Sequence, residues 1–141
     1  MAIEIFRGKY HFLSNFYPSK FTHMGMEYPS VEHAYQSSKT EDEKEFWDII
    51  HAPYARIAKK KGSEILYKRK DFNIIKLGIM SIYVHCKFSQ NEDLKTKLLE
   101  TGDEEIIETN YWGDTYWGVC NGVGKNHLGK ILMKVRRNLK Q

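Results

Sequence analysis

The chain of 141 residues is the size of one domain, for which the prior is about 150 residues, and it carries 41% hydrophobic, 13% aromatic and 28% charged residues. That balance excludes disordered, collagen-like and disulfide-scaffold classes, and two cysteines, Cys86 and Cys120, are too few for a four-cysteine zinc site. Lys plus Arg number 22 against 18 Asp plus Glu, a net charge of +4, which is mild for a dedicated nucleic-acid binder.

The opening Met1-Ala2-Ile3-Glu4-Ile5-Phe6-Arg7 is charged early and lacks the apolar core of a secretory leader, and no run approaches the ~18 apolar residues of a membrane span. A cytoplasmic protein that does not enter a membrane is expected. Phe21-Thr22-His23 and Met26-Glu27-Tyr28 around Met24-Gly25 predict a small hairpin that stops at Pro29. Ser30 is a helix N-cap, with the helix running to about Lys39. Thr40 and Glu43 read as a capping box for a second helix carrying Phe46, Trp47, Ile49 and Ile50. Pro53 suits the first turn of a third helix, and Gly62 its C-terminal stop. Asp71 then caps the longest periodic segment, in which Phe72, Ile75, Ile79, Ile82 and Cys86 form one apolar stripe.

Asn91 caps a short helix with Leu94, Leu98 and Leu99 that Gly102 closes. A strand is expected around Ile106 and Ile107, then a Trp/Gly-rich loop and a final helix bearing Leu128, Ile131, Leu132, Val135 and Leu139. With no repeat and no linker-like stretch, the expectation is a single domain over residues 1–141, mainly α and multihelical, with short β-hairpin elements.

Three polar features sit oddly on this frame. Glu32, Gln36 and Lys39 share one helix face: either a carboxylate, an amide and an amine project together, or Glu32 and Lys39 merely complement the two ends of the helix dipole. Tyr111-Trp112-Gly113-Asp114-Thr115-Tyr116-Trp117-Gly118 reads as core aromatics, or as an indole suited to stacking on a base beside a carboxylate suited to a sugar. Gly122-Val123-Gly124-Lys125-Asn126 leads straight into the last helix and is either a turning loop or an anion cradle. It is not a P-loop, because Val119 and Asn126 stand where that motif needs Gly and Ser or Thr. The histidines are scattered and no H-E-x-x-H or C-x-x-C occurs, so no metal is expected, and His33 reads as a packed histidine. Basic clusters at Lys59-Lys60-Lys61, Lys68-Arg69-Lys70 and Lys134 to Lys140 are solvated faces or a weak contact for phosphate or polynucleotide.

Four blocks together carry a family resemblance: Leu13-Ser14-Asn15-Phe16-Tyr17-Pro18; Tyr28-Pro29-Ser30-Val31-Glu32-His33-Ala34-Tyr35-Gln36 with Lys39; Thr101-Gly102-Asp103; and Asp114-Thr115-Tyr116-Trp117-Gly118 followed by Gly124 to Met133. In this order, linked through Lys87-Phe88, the chain resembles the NADAR, or YbiA-like, family along nearly its whole length. Phe72 stands where the family often has Trp, and Val119 where a glycine commonly follows Trp-Gly.

The resemblance implies a mainly α fold and an N-glycosidase that needs neither metal nor nucleotide cofactor. Its substrate would be a small phosphorylated ribosyl compound, a ribosylaminopyrimidine phosphate of early riboflavin synthesis; the alternatives are removal of ADP-ribose from guanine in DNA or RNA, and a non-catalytic binder of ADP-ribose or nucleic acid. Cleaving a ribose C1'–N bond builds oxocarbenium character that carboxylates stabilise. Glu32 is therefore expected to stabilise the cation or activate water. Asp114 is expected to bind ribose hydroxyls or share the proton transfers, and Lys39 to meet a phosphate or attack C1' as a Schiff-base amine. Trp117 would stack on the base, Asn126 and its loop hold phosphate, and Ser14 with Asn15 orient the ribose. Phe16, Tyr35, Lys87 and Gly118 complete the expected substrate-binding set.

Overall fold

The computed structural model describes residues 2–140. In chain order these form β1 (Ala2–Ile3), a 3-10 helix (Gly8–Leu13), β2 (Phe21–His23), β3 (Met26–Tyr28), α1 (Val31–Ser37), α2 (Glu43–Ile50), α3 (Ala55–Ser63) and α4 (Phe72–Gln90). α5 (Glu92–Glu100), β4 (Glu105–Ile106), β5 (Thr109–Asn110), β6 (Val119–Cys120) and α6 (His127–Leu139) follow. The protein is mainly α with short strands. No described helix is long and apolar enough to cross a membrane. Backbone contacts gather the chain into two compact units, residues 15–91 and residues 1–14 with 92–141.

In the unit of residues 15–91 the hairpin forms as its turn residues dictate, with Phe21 opposite Tyr28 and His23 opposite Met26. Ser30 caps α1, its Oγ accepting from the His33 N–H at 3.1 Å. The helix ends at Ser37, short of Lys39, which lies in the following turn. α1 packs on α2, α3 and α4, and every one of its residues is buried. A helix buried all round has no solvated stripe to show, so its polar residues lie in the interior.

Two expected boundaries and one expected face shift. The cap of α2 is Asp42, whose carboxylate accepts from the Glu45 N–H, while Thr40 donates to Glu45 from outside the helix; the capping box is displaced from Thr40 and Glu43. Gly62 does not stop α3 but lies within it and is buried, because a Cβ there would overlap the amide oxygen of Gln36 on α1. The buried face of α4 is Phe72, Met80, Tyr83, Val84, Lys87 and Phe88, rotated from the expected stripe, and Ile82 is 44% exposed. Asn91 closes α4 by donating to the Lys87 carbonyl at 2.8 Å.

In the other unit, β4 pairs in parallel with β1 and β5 with β6, and α6 packs on β4 and α5. Leu128, Ile131, Leu132 and Val135 are its buried apolar face, with Arg136 buried beside them. Arg136 is thus not part of a solvated basic tail: its guanidinium donates to Thr101 Oγ1 at 2.9 Å. In the middle basic run, Arg69 is held by Asp71 through bonds of 3.0 and 3.1 Å.

Candidate active site

Glu32 sits in the first turn of α1 and is 7% exposed, which removes the reading in which it is a solvated partner of the helix dipole. Its backbone N–H donates to the Asn15 carbonyl at 3.1 Å, fixing the start of the helix against the preceding loop. Gln36, one turn on and 3% exposed, donates from Nε2 to Glu32 Oε2 at 2.6 Å. Burial drives the Glu32 carboxyl above the usual carboxylate range, against the lowering effects of the Gln36 hydrogen bond and of the charges of Lys59 and Lys39. A carboxyl raised in this way exchanges a proton nearer neutrality than an exposed one does.

Gly62 locks that arrangement. Its missing side chain lets α3 approach until the Gln36 amide lies against the backbone. Gly62→Ala is therefore expected to cost about 1–3 kcal/mol by overpacking. It should also lower cleavage, because Gln36 must give up its grip on Glu32 to make room. Urea unfolding and single-turnover cleavage of the same variant check both; wild-type values in each would remove Gly62 from this role.

Lys39 follows α1 by one turn, its Nζ 5.4 Å from the Tyr35 ring centroid and 6.0 Å from that of Phe72. Tyr35 and Phe72 themselves meet edge to face at 5.3 Å. Burial lowers the Lys39 ammonium below its ordinary value; Glu32 opposes this, while the like charges of Lys68, Lys59 and Lys76 add to it. Phe16, beside Asn15, carries the Lys59 Nζ at 5.8 Å from its ring centroid. Glu32, Gln36, Lys39, Tyr35, Phe16 and Lys59 thus form one connected group within residues 15–91. Asn15 aims its side-chain amide at Met80 Sδ, 3.5 Å away.

Lys87 is 1% exposed on the buried face of α4, with its Nζ 5.8 Å from the Tyr17 ring centroid and 5.0 Å from that of Phe88. Burial brings its ammonium down to about 7. His33 is packed as expected, with Nδ1 2.7 Å from Ser30 Oγ and Nε2 3.0 Å from the Ala52 carbonyl.

Ser14, Asp114, Trp117, Gly118 and Asn126 belong to the other unit. Ser14 closes the 3-10 helix, its N–H donating to the His11 carbonyl. Asp114 Oδ1 accepts the N–H groups of Tyr116 at 3.1 Å and Trp117 at 2.9 Å, holding the indole edge-on to Tyr116 at 4.8 Å. Asp114→Ala is expected to cost about 1–2 kcal/mol, the scale of a lost cap, read as a lower midpoint in thermal unfolding; an unchanged midpoint would show that the loop needs no such cap.

The loop into α6 is not an anion cradle at its N–H groups. Those of Lys125, Asn126, His127 and Leu128 donate to the carbonyls of Thr115, Gly118, Tyr116 and Trp117 at 2.8 to 3.3 Å. Asn126 has φ +53°, and its side chain accepts from the Glu108 N–H at 2.9 Å and donates to the Ile106 carbonyl at 3.0 Å. It therefore completes the pairing of the segment after β4. Gly118 is likewise fixed by space, since a Cβ would overlap Glu108.

Reasoning from the sequence missed Lys68, Lys76 and Phe72 as neighbours of Lys39, and it placed Lys59 only in a surface cluster. A faint signal existed for Lys59, which adjoins the small residues Ala55, Ala58 and Gly62 that are the buried positions of α3.

Residues 5–140 match the sequence model of the NADAR domain. A riboflavin biosynthesis protein of Vibrio vulnificus (strain YJ016) is 39% identical over 132 residues, which cover 92% of this chain but 36% of that protein. An N-glycosidase of Nostoc punctiforme (strain ATCC 29133 / PCC 73102) is 36% identical over 137 residues, 93% of this chain and 86% of that protein. N-glycosidase YbiA of Escherichia coli (strain K12) is 32% identical over 117 residues, 82% of this chain and 72% of its own length. The NMR structure of E. coli YbiA superposes with a TM-score of 0.85 at 31% identity, covering 99% of this chain and 87% of that one.

Proposed function

The chain belongs to the NADAR family, and on that footing we propose that it is an N-glycosidase that hydrolyses the ribose C1'–N bond of ribosylaminopyrimidine phosphates in riboflavin synthesis, removing intermediates that would otherwise accumulate as damage. Relatives named N-glycosidase and riboflavin biosynthesis protein support the reaction class and the pathway. The observation that carries the reading is Glu32, a buried carboxyl raised by desolvation, fixed by Gln36 and adjoined by lysines.

In the reaction the C1'–N bond breaks as water oxygen bonds to C1'. One proton of that water reaches the departing nitrogen and the other stays on the oxygen as the new C1' hydroxyl. Positive charge develops on the sugar at the transition state. Glu32, when ionised, stabilises that charge and takes the proton of the attacking water; its raised carboxyl then returns a proton to the leaving amine. Lys39, with its lowered ammonium, supplies either a positive charge to the phosphorylated sugar or a neutral amine to C1'. Within the unit of residues 1–14 and 92–141, Asp114 fixes the loop that carries Trp117, whose indole face suits a heterocyclic base. Asn15, whose carbonyl accepts the Glu32 N–H, orients the ribose.

Incubation with a ribosylaminopyrimidine 5'-phosphate, followed by chromatography for free base and ribose 5-phosphate, tests this. The expected outcome is stoichiometric release of both. Cleavage of ADP-ribosylated guanine alone would move the substrate to nucleic acid and keep the bond type, and binding of either compound without release would leave a non-catalytic binder.

A further inference from the structure

Lys68 is brought to Lys39 by the backbone rather than by chance. The Arg69 N–H donates to the Lys39 carbonyl at 2.7 Å, and Thr40 pairs with Lys68 in an isolated antiparallel bridge. Glu45 pins the same strand-like segment by accepting the N–H groups of Leu66 at 2.6 Å and Tyr67 at 3.3 Å. Phe72 serves as a common floor, with the Lys39 Nζ 6.0 Å and the Lys68 Nζ 5.8 Å from its centroid. Lys76 stands one helical turn beyond Phe72 on α4, and Lys59 lies on α3 over Phe16. Lys39 and Lys68 thus share the Phe72 ring, the charges of Lys59 and Lys76 reach Lys39 as well, and Lys39 and Lys59 also act on the buried Glu32.

Gathering like charges around a half-buried amine costs stability, and such clusters are arranged where charge has work to do. A terminal phosphate ester carries a charge of about −1.5 to −2 at pH 7 and meets ammonium groups as compact point charges. The neighbouring Arg69 is held by Asp71, and the cations whose charges act on Lys39 are lysines. In the loop before α6, the other candidate for an anion, the N–H groups from Lys125 to Leu128 donate to carbonyls.

We propose that Lys59, Lys68 and Lys76, converging on Lys39 above the Phe72 ring, form the receptor for the terminal phosphate monoester of the ribosyl substrate; naming ribose as its carrier rests on the N-glycosidase reading. The receptor selects the phosphorylated sugar and sets its C1' end toward Glu32.

The test is calorimetric titration of the intact protein with ribose 5-phosphate, ribose and ADP-ribose. Ribose 5-phosphate is expected to bind well, and ribose far more weakly. Lys59→Gln, Lys68→Gln and Lys76→Gln should each weaken ribose 5-phosphate binding by about 10-fold or more, the worth of one charge-assisted hydrogen bond. Lys60→Gln, in the same lysine run but not among the charges that act on Lys39, should change it by less than about 2-fold, as a screened surface charge does.

Unchanged binding in the three variants, an equal loss in Lys60→Gln, or binding of ADP-ribose without binding of ribose 5-phosphate would each overturn the receptor. Lysine-dependent binding of ribose 5-phosphate with no release of base in the turnover assay would keep the receptor and sink the glycosidase reading. Release of base with lysine-independent binding would do the reverse.

Discussion

Glu32→Gln is expected to lower single-turnover cleavage by about 10²-fold or more, the scale of losing a group that moves a proton or stabilises developing charge. The substitution keeps the shape of the side chain, and its carbonyl oxygen still accepts from Gln36 Nε2 in place of Glu32 Oε2. It also removes a group whose carboxyl is raised by burial. The native state therefore holds the Glu32 proton more tightly than the unfolded chain does, so this group's contribution to stability is present at acid pH and is lost as pH rises through its raised native value. The variant should consequently match the wild type in acid and become relatively more stable toward neutral pH, while its cleavage rate falls. Rapid-quench measurement of base release and urea unfolding across pH read the two effects. A wild-type rate in the variant would take the chemistry away from Glu32, and a loss of stability at neutral pH would make it a structural residue.

That pairing of lost stability with gained reactivity explains why the site was partly legible in the sequence. The 0, 4, 7 spacing of Glu32, Gln36 and Lys39 marked a shared direction, and Gln36 does reach Glu32. Local chemistry fixed the hairpin at Met24-Gly25 and the Ser30 cap as expected, because turns and caps depend on neighbours in sequence. What periodicity could not give was burial. α1 is enclosed by three helices and has no solvated face, so a shared helix face says nothing about which side meets water.

The same limit turned α4. Ile75, Ile79 and Ile82 make a regular stripe, yet the interior takes Met80, Tyr83, Val84 and Lys87. Side-chain type fixes an apolar face only when one partner surface is in view. Gly62 reads locally as a helix stop, and only the position of Gln36 shows that it serves a close approach instead. Lys59, Lys68 and Lys76 come from separate segments, and the hydrogen bond between Arg69 and Lys39 that brings the Lys68 segment to Lys39 is a tertiary fact.

The second large effect is expected at Lys39. Burial and the charges of Lys68, Lys59 and Lys76 all favour its neutral form, with Glu32 opposing them, so more of it is unprotonated near neutral pH than of an exposed lysine. In the ring-opened sugar, whose O4' has taken a proton and whose C1' is doubly bonded to the base nitrogen, a neutral Nζ adds to C1'; the base nitrogen takes a proton and leaves, and the iminium that remains between Lys39 and C1' is hydrolysed by water. Borohydride present during turnover should reduce that iminium to a secondary amine and leave a ribosyl phosphate mass on the Lys39 peptide. Lys39→Met should lower cleavage by about 10²-fold or more, the size expected for losing a nucleophile or a fixed charge at the reacting centre. Lys39→Arg separates the two roles, because a guanidinium keeps the charge and does not deprotonate in proteins. If Arg is as inactive as Met and the adduct forms, Lys39 is the nucleophile, and the rate should climb as pH rises through the lowered value of its ammonium. If Arg restores cleavage and borohydride traps nothing, the covalent route is sunk, Lys39 acts by charge alone, and water attacks C1' directly with Glu32 as its base.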